Sequence, residues 1–320
     1  MSIWKKYSDV SKAAWLEKIS TDLKGKEAAD FHKKQADGTL IKPWYHREDT
    51  GHEVSIPGRS YDKIHLGCMI DAGDPTMDHD YLMDNLTGGC SFIHIDAKKD
   101  DSLTELLEGV HFEMITSIIH MTDGADQNSF LSGLKERKDV DIQIIDGSSG
   151  TSILDLRVAN EKLLSAFMTF AEEMSQSNET DAVHVLLDFD HDYISSITKV
   201  MALRLLWANV CEAYSRNHRD HRLIISGYVS DAIRTTEIHQ DLIAITQVMT
   251  AMFSADVDVI FPFSSTDTAE DRRLIRQAYH VLTLEGHLGK VRAPYSGSYA
   301  LEKIASEKAK AAWKDFIKTI

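Results

Sequence analysis

The chain has 320 residues, of which 43% are hydrophobic and 27% charged, and these proportions exclude a disordered or collagen-like protein. Its three cysteines (Cys68, Cys90 and Cys211) are too few and too far apart for a disulfide framework or a cysteine-based zinc finger. A net charge of −15 argues against nucleic acids and anionic membranes as partners. Without a long apolar run or a signal peptide, the sequence predicts a soluble, cytoplasmic protein.

Residues 1–60 differ from the remainder of the chain. They carry 11 Lys/Arg against 9 Asp/Glu, whereas residues 61–320 carry 24 against 41. Aromatic residues such as Trp15 and Trp44 are scattered among lysines without a regular period. We therefore expect a separate N-terminal arm over residues 1–60, which buries its aromatic side chains against the rest of the chain or against a partner protein.

From residue 61 to residue 320, short β-like runs alternate with stretches of helical periodicity. The predicted strands are 63–71, 91–96, 116–121, 141–146, 182–188, 222–228, 258–263 and a weaker eighth at 290–292. Alternation of this kind implies parallel strands, and eight units in about 260 residues fit a (β/α)8 TIM barrel. A doubly wound open sheet is the alternative, but it more often shows a glycine-rich first turn, and the sequence has no G-x-G-x-x-G motif.

The active site of a (β/α)8 barrel lies at the carboxyl ends of its strands. Here these ends carry Asp71, Asp96, Asp188 and Tyr228. Because strand side chains alternate between the two faces, His94 shares a face with Asp96, and His184 shares one with Asp188. We expect these histidines to point into the barrel interior.

Two interpretations of these polar residues remain open. In the first, the chain is a stand-alone metal-dependent lyase or hydrolase, with His184, Asp188 and Asp96 as candidate metal ligands and Asp71 beside them. In the second, the histidines fill the barrel interior and hydrogen-bond to one another, while aspartates at the strand ends cap helices. The absence of H-x-H and H-E-x-x-H motifs favours the second interpretation.

The closing segment and several earlier stretches resemble the barrel domain of the methylmalonyl-coenzyme A mutase family. The residues that carry this resemblance are Arg204 and Trp207 in ALRLLWANVCEAY, Phe261-Pro262-Phe263, Arg276-Gln277, Glu285, Pro294, Gly297-Ser298-Tyr299, Glu302, Ala312-Trp313 and, in the arm, Lys42-Pro43-Trp44-Tyr45. The resemblance covers nearly the whole chain, and it implies a TIM barrel preceded by an extended arm.

Departures from the family's catalytic pattern indicate which member the chain resembles. The R-Q-Y-a-G-f segment before the first strand is missing, and Val229 follows Tyr228 where catalytic chains have a Tyr-His pair. The family's substrate threads the barrel interior, yet the side chains expected to line this interior are bulky; they are Met69, His94, His120, His184 and Leu186. The cobalamin loop D-x-H-x-x-G has no counterpart beyond Asp30-Phe31-His32, and we expect only the barrel portion of the family here.

The resemblance therefore implies the small, non-catalytic subunit of a heterodimeric mutase. The family interconverts methylmalonyl- and succinyl-coenzyme A, a reaction of propionate metabolism. Adenosylcobalamin and substrate would bind the large subunit, which this chain would contact through its arm and barrel. We expect no catalytic residue, cofactor site or metal site in this chain.

Overall fold

The computed structural model describes most of the chain, and the structural statements below concern the described residues. These are residues 10–23, 26–35, 38–50, 55–72, 75–98, 103–121, 139–146, 153–157, 163–176, 182–218, 221–235, 237–264 and 267–318.

The N-terminal segment contains small elements. Helix α1 (Lys12–Asp22) is followed by a 3-10 turn (Ala28–Phe31), a two-stranded antiparallel ribbon of β1 (Lys33–Lys34) and β2 (Leu40–Ile41), and the short helix α2 (Arg47–Thr50). Aromatic stacking links these elements, since the rings of Trp15 and Trp44 lie 4.4 Å apart. An ion pair between Lys12 and Asp49 joins α1 to α2.

Eight parallel strands form the body of the protein. They are β3 (His65–Asp71), β4 (Phe92–Ala97), β5 (Thr116–Met121), β6 (Asp141–Asp146), β7 (Ile153–Asp155), β8 (Ala182–Phe189), β9 (Arg222–Val229) and β10 (Val259–Phe261). Their order in the sheet is β6-β5-β4-β3-β10-β9-β8-β7. The last barrel strand in the chain, β10, therefore pairs with the first one, β3, and the two ends of the sheet are β6 and β7. This cyclic order confirms the predicted (β/α)8 barrel.

Helices cover the outside of the barrel. They are α3 (Pro75–Thr87), α4 (Leu103–Leu106), α5 (Leu163–Gln176), α6 (Tyr193–Ala213), α7 (Ile238–Ala255), α8 (Ala269–His280), which continues into a π-helical turn (Val281–Glu285), and α9 (Tyr299–Ile317). Within the described part of the chain, α6 is the one helix long and apolar enough to cross a membrane. However, 67% of its apolar window is buried inside the fold, as expected for a core helix.

One predicted strand is wrong, and the structure contains one that was not predicted. Residues 290–292 lie in a run of bends and turns, because Gly289 and Ala293 on either side have φ of 79° and 46° and prevent an extended strand. The fifth barrel strand is instead β7, which pairs with β8. The three residues of β7, Ile153, Leu154 and Asp155, do not alternate between apolar and polar side chains, so the sequence gives no strand pattern there.

Two buried ion pairs stabilise the amino-terminal face of the barrel, which we call its base. Arg59 donates its backbone N–H and its Nη1 to Asp256, at 2.9 Å and 2.5 Å, and Arg204 donates its Nη2 to Asp258 Oδ2 at 2.9 Å. Asp256 has a left-handed φ of 59° at the end of α7. Because Ser60 also donates to Asp258, the end of the predicted arm is fastened to the amino-terminal face of the barrel.

Candidate functional site

The barrel interior is filled by large side chains. A hydrophobic cluster contributed by the strands, which we call the interior cluster, comprises Phe92, Ile118, Ile145, Ala182, Leu186, Ile224, Tyr228, Val259 and Phe261. All of them are buried, and the rings of Tyr228 and Phe261 are stacked with centroids 4.6 Å apart. Phe92 packs edge-on against Phe261, at 6.0 Å. Among the described residues, the middle of the barrel is therefore occupied by packed, buried side chains.

Two histidines contribute to this packing as neutral rings. His184 contacts the Gln143 side-chain oxygen through Nε2, and His65 Nδ1 lies 3.0 Å from Ser91 Oγ. Burial lowers the pKa of His184 to about 3 and, together with the charge of Lys63, that of His65 to about 4. Neither ring carries a charge at neutral pH.

The predicted strand-end residues surround the mouth at the carboxyl ends of the strands. Asp71 is exposed at the end of β3, whereas burial raises the pKa of the Asp188 carboxyl at the end of β8. Tyr228 is buried, which raises the pKa of its hydroxyl, and this hydroxyl donates to Met69 Sδ at 3.3 Å. The tyrosine hydroxyl therefore makes its hydrogen bond to a thioether inside the barrel.

A second set of mouth residues was missed by the sequence analysis because β7 was missed. Arg157 lies 4.7 Å above the ring of Tyr228 and donates from Nη2 to Asp155 at 2.6 Å. Burial alone would raise the pKa of Asp155, but the guanidinium of Arg157 holds it below its usual range. The alternation of Leu154, Asp155, Leu156 and Arg157 was the available signal, and it is too short to predict a strand.

Three side chains at the mouth lie within ligand distance of one another, and we call His94, Asp96 and His120 the mouth cluster. His120 Nδ1 lies 2.8 Å from Asp96 Oδ1, and His94 Nε2 lies 3.4 Å from the same oxygen. Burial would raise the pKa of Asp96, but the two imidazoles that face its carboxylate lower it. Asp96 is thus an anion held between two rings. His184, by contrast, contacts Gln143 and is not part of this cluster.

Residues that carry the family resemblance have structural contacts. Arg276 on α8 donates to Asp84 at 3.0 Å and to Asn85 at 2.9 Å, and so ties α8 to α3. Trp207 donates from its indole nitrogen to the His221 carbonyl at 2.9 Å. The first contact joins two helices, and the second joins α6 to the residue that precedes β9.

The segment Asp30-Phe31-His32 lies at the 3-10 turn of the arm. Asp30 accepts a hydrogen bond from the Glu27 backbone at 3.1 Å and caps the 3-10 turn. The chain then enters the β1–β2 ribbon, and Gln35 stands where the family loop has glycine.

The fold and the interior define a (β/α)8 barrel whose centre is filled by its own side chains. No family model matches the chain. The methylmalonyl-CoA mutase small subunit of Porphyromonas gingivalis is 22% identical over 395 aligned positions, which cover 98% of this chain and 63% of that protein. The chain therefore spans less than two thirds of this relative's length.

Two shorter matches have the same name. The methylmalonyl-CoA mutase small subunit of Streptomyces virginiae is 29% identical over 136 residues, covering 40% of this chain and 22% of that protein. The one from Propionibacterium freudenreichii subsp. shermanii is 30% identical over 148 residues, covering 42% and 22%. These relatives confirm the resemblance to methylmalonyl-CoA mutase small subunits.

A comparison with solved structures matches Mycobacterium tuberculosis Rv1207 at 9% identity. The match covers 72% of this chain and 98% of that one, and its TM-score of 0.31 is too low to bear on the fold.

Proposed function

We propose that this chain is the small, non-catalytic subunit of a heterodimeric, adenosylcobalamin-dependent methylmalonyl-CoA mutase. The large subunit then performs the isomerisation. The observation that carries the proposal is the filled barrel interior. It is supported by the similarity to small subunits over nearly the whole chain.

Within the described part of the chain, the filled interior offers no path for a long thioester. To pass from the base of the barrel to its mouth, a coenzyme A chain would have to displace Phe92, Tyr228 and Phe261. Phe261 stacks on Tyr228 and packs edge-on against Phe92. Truncating one buried aromatic side chain to alanine costs about 3–5 kcal/mol, which indicates how much its packed position contributes to stability. Substrate binding could not readily repay several such losses, so the chemistry belongs to the partner.

The arm offers the surface for that partner. Helix α1 has no buried residue, and Val10, Leu16, Phe31 and Leu40 are each between 40% and 60% exposed. Apolar side chains gathered on a small exposed segment are typical of a protein–protein interface. The arm would cover the large subunit, and the acidic barrel would remain in the cytoplasm without contact to nucleic acid or membrane.

Co-expression with the large mutase subunit tests this proposal. We expect a stable 1:1 complex by size-exclusion chromatography with light scattering, and mutase activity in the complex but not in the isolated chain. Leu16→Asp and Phe31→Asp should weaken the complex. Met114→Asp is the control, since Met114 is more exposed (76%) than Leu16 and Phe31 but lies in a turn outside the arm. Turnover by the isolated chain, or absence of a complex, would contradict the proposal.

A further inference from the structure

We propose that the mouth cluster of His94, Asp96 and His120 binds a divalent first-row transition-metal ion, with Zn²⁺ as the first choice. One ligand atom from each residue lies within 4.8 Å of the others. Two imidazoles and one carboxylate are the donors that Zn²⁺ and its neighbours in the periodic table prefer. This inference does not depend on the proposed function, because it concerns the isolated chain.

The state of His94 is the observation that points to a ligand. Its side chain is only 1% exposed, and among the described residues neither of its ring nitrogens has a hydrogen-bond partner. An unsatisfied buried polar group costs about 1–3 kcal/mol, so native structures rarely leave one. His94 Nε2 is 3.4 Å from Asp96 Oδ1, in an orientation that makes no hydrogen bond. A metal ion placed between them would satisfy this nitrogen.

The spacing of the donors suits such an ion. With bonds of about 2.0–2.2 Å, two ligands of tetrahedral zinc stand roughly 3.3 Å apart. The separation of His94 from Asp96 is already close to this value. The shorter contact of 2.8 Å between His120 and Asp96 would have to open slightly, and both side chains are partly exposed and therefore able to adjust.

The sheet fixes the positions of the three donors. His94 and Asp96 are two residues apart on β4 and point to the same face, while the register of β4 and β5 places His120 directly beside Asp96. The neighbouring cation, Arg157, is paired with Asp155, which compensates its charge. Three protein ligands leave a fourth coordination position, which would face the mouth on the side where Asp96 and His120 reach solvent.

A cobalt titration tests the site. Protein freed of metal with a chelator is titrated with Co²⁺, whose visible absorption reports coordination by the protein, and Zn²⁺ is then added as a competitor. We expect one equivalent of Co²⁺ to bind and Zn²⁺ to displace it. Asp96→Asn and His120→Gln should each weaken binding at least tenfold.

His111→Gln is the matched control. His111 Nδ1 lies 3.0 Å from Glu113 Oε1, so it forms an exposed histidine–carboxylate pair outside the mouth cluster. This variant should bind cobalt as the wild type does. The proposal would be overturned if His111→Gln lost as much cobalt binding as the mouth variants did. It would also be overturned if the wild type bound no stoichiometric Co²⁺. If a mouth variant fails to fold, the thermal melt of the wild type decides: Zn²⁺ should raise its midpoint, and an unchanged midpoint would also overturn the site.

Discussion

At the scale of single residues, burial decides the charge of the groups inside the barrel. His65 is buried between Ser91 and the ring of Tyr61, and its pKa falls to about 4 from an ordinary value of 6.5. The unfolded chain binds a proton near pH 6.5, whereas the folded chain does not until about pH 4. The contribution of the neutral His65 ring to the free energy of unfolding is therefore intact above pH 6.5 and is lost as the pH falls toward 4.

This difference predicts an acid-sensitive fold. Between pH 6.5 and pH 4, protonation of His65 alone should lower the free energy of unfolding by an amount on the order of 3 kcal/mol. Urea unfolding at a series of pH values measures it, with His65→Gln as the comparison, because glutamine can still bond to Ser91 but does not titrate. The variant should show a shallower fall in the free energy of unfolding, and parallel curves for the two proteins would contradict the assignment.

A substitution at Gly67 tests how tightly the barrel interior is packed. A Cβ atom at this position would lie 2.7 Å from Phe261 Cε1 and 2.8 Å from Val259 Cγ1, closer than such atoms approach in folded proteins. Gly67→Ala should therefore lower the free energy of unfolding by about 1–3 kcal/mol. In the double variant with Phe261→Leu, the added methyl should cost less, because the smaller side chain frees space. A neutral Gly67→Ala would mean that the interior is loosely packed.

At the scale of elements, the strands differ in how clearly their sequence shows an alternating pattern. The eight residues of β8 alternate clearly, with Val183 and Val185 packed toward the helices and Leu186 packed in the interior. The three residues of β7 show no such pattern, and positive φ angles that a sequence does not reveal prevent a strand at residues 290–292. Strand length and backbone conformation thus set the limit of the fold prediction.

The same limit applies to the candidate site. Alternation along β4 correctly puts His94 and Asp96 on one face. It does not give the register between neighbouring strands, which brings His120 to Asp96 and places His184 opposite Ile153. Which histidine meets which carboxylate is therefore a property of the assembled sheet.

The contact between α8 and α3 makes a testable prediction about the helical layer. Arg276 is buried and bonds Asp84 and Asn85, and Arg273 on the same helix is exposed. Arg276→Met should lower the free energy of unfolding by about 2–3 kcal/mol, because the Asn85 oxygen loses its partner in a buried position. Arg273→Met is the control and should change it by less than about 0.5 kcal/mol. Chemical denaturation of both variants gives the comparison, and equal effects would show that the contact does not hold the helices together.

At the scale of the whole molecule, the barrel combines a filled interior with an exposed arm. The base is fastened by the Arg59–Asp256 and Arg204–Asp258 pairs, so the part of the arm that follows residue 55 is fixed. The preceding elements leave apolar side chains in solvent. Exposed apolar side chains of this kind are a common feature of protein–protein interfaces.

The filled interior is the central claim, and calorimetric titration of the isolated chain with a non-reactive coenzyme A thioester tests it most directly. We predict no saturable binding at ligand concentrations up to about 1 mM. Leu186→Trp, which adds bulk to the interior cluster, serves as the comparison for any binding that is seen. Saturable 1:1 binding by the wild type that this substitution abolishes would contradict the account, because it would reveal a passage through the barrel.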